Sequence, residues 1–176
     1  MTVRAIWLIR VAEARDAEAL PTLENSAGAL FRSFPSLEWL ADGEDLSVGR
    51  YRELIAAGAS WVAIDPDDRP IAFLSGSIEE NDLHIWELGV RRDLQRFGIG
   101  RNLLLAAIRD ARCRRLAAVT LTTFRDVPWN APFYARLGFE SLAGEAIGDR
   151  LERILRADAR RGLPMHARCA MRLRLS

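Results

Sequence analysis

"DLQRFGIGRNLLLAAIRDA", residues Asp93 to Ala111, decides how this chain is read. From Asn102 onward it is a helix by spacing, with Leu103, Leu104, Ala107, Ile108 and Ala111 recurring on one face. Its front carries Gly98 and Gly100, residues that weaken a helix through backbone entropy. Arg96 and Arg101 bracket them. The first turn of a helix has backbone N–H groups without helical partners, and the macrodipole adds positive potential there. Glycine lets an anion approach those groups, and arginine adds forked donors. Gln95 to Arg101 is therefore expected to cradle a pyrophosphate; the competing reading is a tight turn with no ligand.

Two familiar cradles do not fit. A dinucleotide fingerprint needs a third glycine where this chain has Leu103. A P-loop needs a lysine, and all 25 basic residues here are arginine. The absence of lysine also removes any lysine nucleophile or Schiff-base chemistry.

Working outward, Val3 to Val11 is expected as a first strand and Asp16 as the N-cap of a helix through about Phe31, with Pro21 near its first turns. A second helix over Val48 to Ala57 closes at Gly58. Strands are expected over Ser60 to Ile64, Ile71 to Glu79 and Leu83 to Val90, with short turns that predict an antiparallel meander. Beyond the glycine-led helix come "LAAVTLTTF" as a strand, "VPWNAPFYARLG" as a short helix ended by Gly138, and "FESL" as a short strand. An amphipathic helix over Ile147 to Arg161 and a last strand in "HARCAMRLRL" complete one mixed α/β domain spanning residues 1–176.

Composition narrows the partners. A length of 176 residues suits a single domain, and 49% apolar residues with 8% aromatics are ordinary for a globular protein. The net charge of +1 gives no global attraction for nucleic acid or an anionic membrane. The basic run "RDARCRR", Arg109 to Arg115, spreads over more than one helical face. Cys113 and Cys169 lack metal-ligand spacing, and His84 and His166 are the only histidines, so no metal is expected. The N-terminal apolar stretch is too short to span a bilayer and lacks signal-peptide order, so a cytoplasmic location is expected.

The string Gln95-Arg96-Phe97-Gly98-Ile99-Gly100 matches the Gln/Arg-x-x-Gly-x-Gly/Ala signature, and it follows a Leu-Gly-Val strand end. "WNAPFYARLGF", Trp129 to Phe139, matches a second marker, an aromatic-Tyr-x-x-Leu-Gly-Phe run. With both motifs in order, the chain resembles the GNAT acetyltransferase superfamily. The resemblance implies an α/β (α+β) fold: a mixed, mostly antiparallel sheet, helices on both faces and a splayed central strand pair. It implies acetyl-CoA as co-substrate, with pyrophosphate on the amides of Arg96, Phe97, Gly98, Ile99, Gly100 and Arg101, and pantetheine beside Leu88, Gly89 and Val90. It implies direct attack of an amine on the thioester, the Leu88 amide facing the oxyanion and Tyr134 protonating the leaving thiolate.

The remaining roles divide. His84 is the candidate general base by its titration range and by sharing a strand face with Val90; its alternative is a satisfied core or surface group. Glu24 on the first helix is a candidate for holding the incoming ammonium, or a solvated carboxylate. Many relatives carry an asparagine where this chain has Val127; Asn130 either takes over that pantetheine contact or caps the short helix. Phe31, Phe34, Trp39 and Trp61 are candidates for an apolar amine pocket, with core packing favoured for Phe31 and Trp61. The acceptor is expected to be a small-molecule amine ahead of a protein N-terminus, with a homodimer left open. The rival class is a non-catalytic acyl-CoA-binding sensor, which would need the cradle but not Tyr134.

Overall fold

The computed structural model describes residues 6–43 and 46–175. The expected strand start at Val3 lies outside these residues. Seven strands are ordered β1-β2-β3-β4-β5-β7-β6. They are β1 (Leu8–Val11), β2 (Ser60–Ile64), β3 (Pro70–Glu79), β4 (Asp82–Val90), β5 (Ala118–Phe124), β6 (Glu140–Ser141) and β7 (Arg168–Arg174). The α-helices are α1 (Leu20–Gly28), α2 (Val48–Ala56), α3 (Ile99–Cys113), α4 (Ala131–Ala135) and α5 (Gly148–Arg160). Among the described residues no helix is long and apolar enough to cross a membrane. Contacts divide the chain into two compact units, Met1–Ile78 with Glu87–Asp110, and Glu79–Trp86 with Ala111–Ser176.

In the first unit, β1 and β3 both pair antiparallel with β2, which is buried along its whole length. Helix α3 buries Leu103, Leu104, Ala107 and Ile108, the stripe its periodicity required. Gly58 takes φ 73°, the left-handed stop after α2, and Pro21 sits in the first turn of α1.

The expected helix from Asp16 to Phe31 is instead a 3-10 turn (Ala14–Glu18), then α1, then a second 3-10 turn (Ala29–Ser33). Glu13, not Asp16, occupies the cap position. Asp16 is drawn into an ion pair: Arg10 donates to its two oxygens at 2.7 and 2.9 Å, and the Glu13 amide donates at 2.7 Å. Burial pushes this carboxyl up, but the Arg10 and Glu13 hydrogen bonds outweigh it and hold it below its ordinary range. The same bonds raise the Arg10 guanidinium. Trp61 is buried as expected, whereas Phe31 is half-buried and Trp39 exposed.

In the second unit, β4 and β5 run parallel, in register from Asp82↔Ala118 to Ile85↔Leu121. Both strands continue past the paired stretch, β4 to Val90 and β5 to Phe124. β7 pairs antiparallel with β5 over Arg168–Arg174 and with β6 at Glu140 and Ser141. Helix α5 packs Leu151 and Leu155 against Ala170 of β7, with Leu142, Ile147 and Ile154 at the edge of that cluster.

Candidate functional site

The segment from β4 into α3 carries most of the expected cofactor residues. A 3-10 turn (Arg92–Leu94) follows β4. Arg96 then takes φ 69° and Gly98 φ 82°, while Phe97 between them stays outside the left-handed region. Left-handed residues in such a turn can aim successive N–H groups at an anion, the arrangement called a nest. Arg96 has a Cβ, so its left-handed backbone is uncommon and costs energy; a non-glycine residue there marks a constrained site.

Helix α3 begins at Ile99, three residues before the apolar stripe makes it legible. Its first hydrogen bond runs from the Asn102 amide to the Gly98 carbonyl at 3.0 Å. The amides of Ile99, Gly100 and Arg101 therefore have no acceptor inside the helix. Asn102 Nδ2 also donates to the Gly98 carbonyl, at 2.8 Å, fixing that corner. No local pattern had assigned the Asn102 side chain this function.

Gln95 lies beside this nest and turns inward. Its Nε2 donates to the Val90 carbonyl at 3.0 Å, tying the loop to the strand end. A Cβ on Gly100 would sit 3.3 Å from Val90 Cγ2, so Gly100 also serves close helix–strand packing. Arg96, Phe97 and Arg101 are exposed and Ile99 is buried. Leu88 and Val90 are half-buried. Gly89 is buried, and its close approach is to a side chain: an added Cβ would meet Phe73 Cε1 at 2.6 Å.

Tyr134 lies on α4, 8% exposed, with edge-on contacts to Phe133 and Phe139 at ring distances of 5.1 and 5.7 Å. The chain turns away after Gly138, at φ 92°. Asn130 occupies the N-cap position of α4, but its side chain makes no cap bond. Its carbonyl accepts from the amides of Phe133 and Tyr134.

His84, the expected base, and Glu24, the expected ammonium holder, are both hydrogen-bonded within the fold. His84 is 1% exposed, and its Nδ1 lies 3.0 Å from Thr120 Oγ1. Its ring stacks edge-on with Trp86 at 4.4 Å. Burial, aided by the nearby Arg150 charge, pushes its pKa down to about 3. Glu24 Oε2 accepts from the Tyr51 hydroxyl at 2.6 Å and the Leu46 amide at 2.8 Å. Those bonds tie α1 to the start of α2. His84 and Glu24 are thus each bonded into the scaffold, His84 to β5 and Glu24 to the start of α2.

Arg150, a residue the sequence did not single out, joins the His84 cluster. Its Nη2 donates to Asp82 Oδ2 at 2.9 Å and to Thr120 Oγ1 at 3.3 Å. The only local signal was the arginine spacing on one face of α5. Among the described residues no cluster of His, Cys, Asp and Glu could hold a metal ion.

Comparison with known proteins bears on this arrangement. The model of the acetyltransferase (GNAT) family matches residues 21–139. The PaiA N-acetyltransferase of Thermoplasma acidophilum, solved in complex with coenzyme A, superposes with a TM-score of 0.69 at 16% identity, over 97% of this chain and 99% of that one. The ribosomal-protein-S18-alanine N-acetyltransferase of Escherichia coli does so with 0.67 at 17% identity, over 97% and 95%. Ard1 of Thermoplasma volcanium gives 0.67 at 18% identity, over 97% and 98%.

Proposed function

We propose, from the premise that the chain belongs to the GNAT acetyltransferase family, that it moves an acetyl group from acetyl-CoA to the primary amine of a small molecule. The observation that carries the reading is the nest at Arg96 and Gly98 running into the first turn of α3. Its geometry suits a diphosphate, and the arginines beside it suit the charge.

In this reading the amides of Arg96 through Arg101 bind the pyrophosphate, with Gln95 holding the loop in place. The pantetheine runs beside Leu88, Gly89 and Val90 and pairs with their backbone like an added strand. The neutral amine attacks the thioester carbonyl, forming a C–N bond and a tetrahedral oxyanion. The Leu88 amide faces that oxyanion. The C–S bond then breaks, the electron pair leaves on sulfur, and the Tyr134 hydroxyl supplies the proton. The amine's surplus proton passes to water, and Tyr134 recovers its own from solvent. Asn130, whose side chain does no capping, supports the pantetheine reading of that residue.

His84 and Glu24 hold the scaffold in this account. A histidine with a pKa near 3 is neutral at pH 7 and too weak a base to deprotonate an alkylammonium. Glu24 spends an oxygen on Tyr51 and Leu46.

The test is thiol release from acetyl-CoA across a panel of amines, with CoA affinity measured separately. Amine-dependent thiol release with an N-acetyl product supports the reading. Tight CoA binding without transfer to any amine would leave a binding module, and absence of CoA binding would remove the nest's assigned ligand.

A further inference from the structure

Helix α5 has two working faces. Leu151 and Leu155 pack inward against β7. Arg150, Arg153, Ile154, Ala157 and Arg161 fall at spacings of three and four residues and line a cavity of about 350 Å³. Trp86 of β4 forms an opposite wall. The volume is at the lower end for small-molecule sites, and an apolar wall with a few convergent polar groups is their usual composition.

The charges in this cavity are unequal. Two carboxylates line it, Glu79 and Asp158. Asp158 is bonded to Arg168 at 2.7 Å, and Arg150 to Asp82 at 2.9 Å. Arg153 and Arg161 line the same cavity with no ion-pair partner among the described residues. Arg150 is also under-satisfied: Nε and Nη1 are buried with no hydrogen-bond acceptor, while Nη2 serves both Asp82 and Thr120. Those two nitrogens are closed off from solvent, so the donors open to a ligand in the cavity are those of Arg153 and Arg161. Arginine forks match a carboxylate in shape as well as charge. Trp86, Ile154 and Ala157 offer the ligand's apolar body a surface.

We infer that the acceptor amine also carries a carboxylate, and that this cavity holds it, with the acid group on the α5 arginines and the apolar body against Trp86. The inference rests on the acetyl-transfer reading above. Trp86 precedes Leu88 by two residues, and alternate residues of a strand share a face.

The experiment compares matched amines on the full chain with acetyl-CoA: L-phenylalanine against its carboxamide, and other α-amino acids against theirs. The carboxamide amine is the less basic of each pair, so unassisted reactivity favours it. The expected result is a preference of about tenfold or more in kcat/KM for the acids. Arg153→Gln, a change at an exposed position, should raise KM for the acids about tenfold and leave CoA affinity and thermal stability as they were. Carboxamides used as well as acids, or an unchanged KM in Arg153→Gln, overturns the inference while acetyl transfer stands. No transfer to any amine and no CoA binding overturns the acetyl-transfer reading, and this inference with it.

Discussion

His84 Nδ1 and Thr120 Oγ1 lie 3.0 Å apart, inside the paired part of β4 and β5. Arg150 donates to the same hydroxyl at 3.3 Å, so a cation stands one atom away from the imidazole. Burial and that charge both disfavour the protonated ring. Folding therefore lowers the histidine pKa from 6.5 to about 3. The unfolded chain binds the extra proton first as pH falls, so the stabilisation is complete above about 6.5 and is lost towards 3. The slope for one such group approaches about 1.4 kcal/mol per pH unit. Denaturant unfolding between pH 7 and 4 should show that loss in the wild type and a shallower one in His84→Gln. Equal slopes would mean that folding leaves the His84 pKa unshifted.

Two glycines near the nest should behave differently. Gly89→Ala places a Cβ 2.6 Å from Phe73 Cε1, an overpacking expected to cost about 1–3 kcal/mol of stability. Gly98 has space around it, with Asn102 Nδ2 at 3.7 Å, but its φ is +82°. Gly98→Val should lose roughly 1–2 kcal/mol to backbone strain and weaken CoA by tenfold or more. Chemical unfolding and CoA titration on both variants separate the effects. CoA affinity unchanged in Gly98→Val places the diphosphate elsewhere.

Local pattern and tertiary context divide what the sequence could tell. The stripe Leu103, Leu104, Ala107 and Ile108, the helix stops at Gly58 and Gly138, and the strands from Ser60 to Val90 are short-range features, and each is where periodicity or glycine geometry put it. Asp16 is not: it looks like a cap, but Arg10 pairs with it and also reaches Asp68, 58 residues away. Gly89 signalled close approach without revealing that the neighbour is Phe73. The partners of His84, Thr120 and Arg150, lie 36 residues and more along the chain and were not legible from its strand. The left-handed turn at Gly98 and the helix after it were legible because their signals are local. The ion pairs and orphaned donors were not, since they depend on which distant residues folding brings together.

Glu24 tests whether a carboxylate on α1 serves substrate or scaffold. Its Oε2 takes two hydrogen bonds, from the Tyr51 hydroxyl and the Leu46 amide, and Tyr51 is fully buried. Glu24→Ala leaves that hydroxyl without this acceptor, at a cost of about 1–3 kcal/mol. Glu24→Gln keeps a carbonyl acceptor and removes the charge, so it should lose less stability and retain most turnover. If Glu24→Gln abolishes turnover in a chain that is still fully folded, the carboxylate is holding the amine.

Tyr134→Phe addresses the proton donor directly. The ring packs edge-on between Phe133 and Phe139 and is 8% exposed, so phenylalanine preserves the apolar contacts and removes only the hydroxyl. A positioned acid contributes roughly 10²–10⁴-fold to such reactions. Turnover with a verified acceptor should therefore drop by about a hundredfold or more, with CoA affinity close to the wild type. The loss should shrink for an acyl donor with a more acidic leaving group, such as an aryl thioester, because that sulfur needs less help to depart. A uniform loss across leaving groups would point to a packing defect, and unchanged turnover would take the Tyr134 hydroxyl out of the reaction.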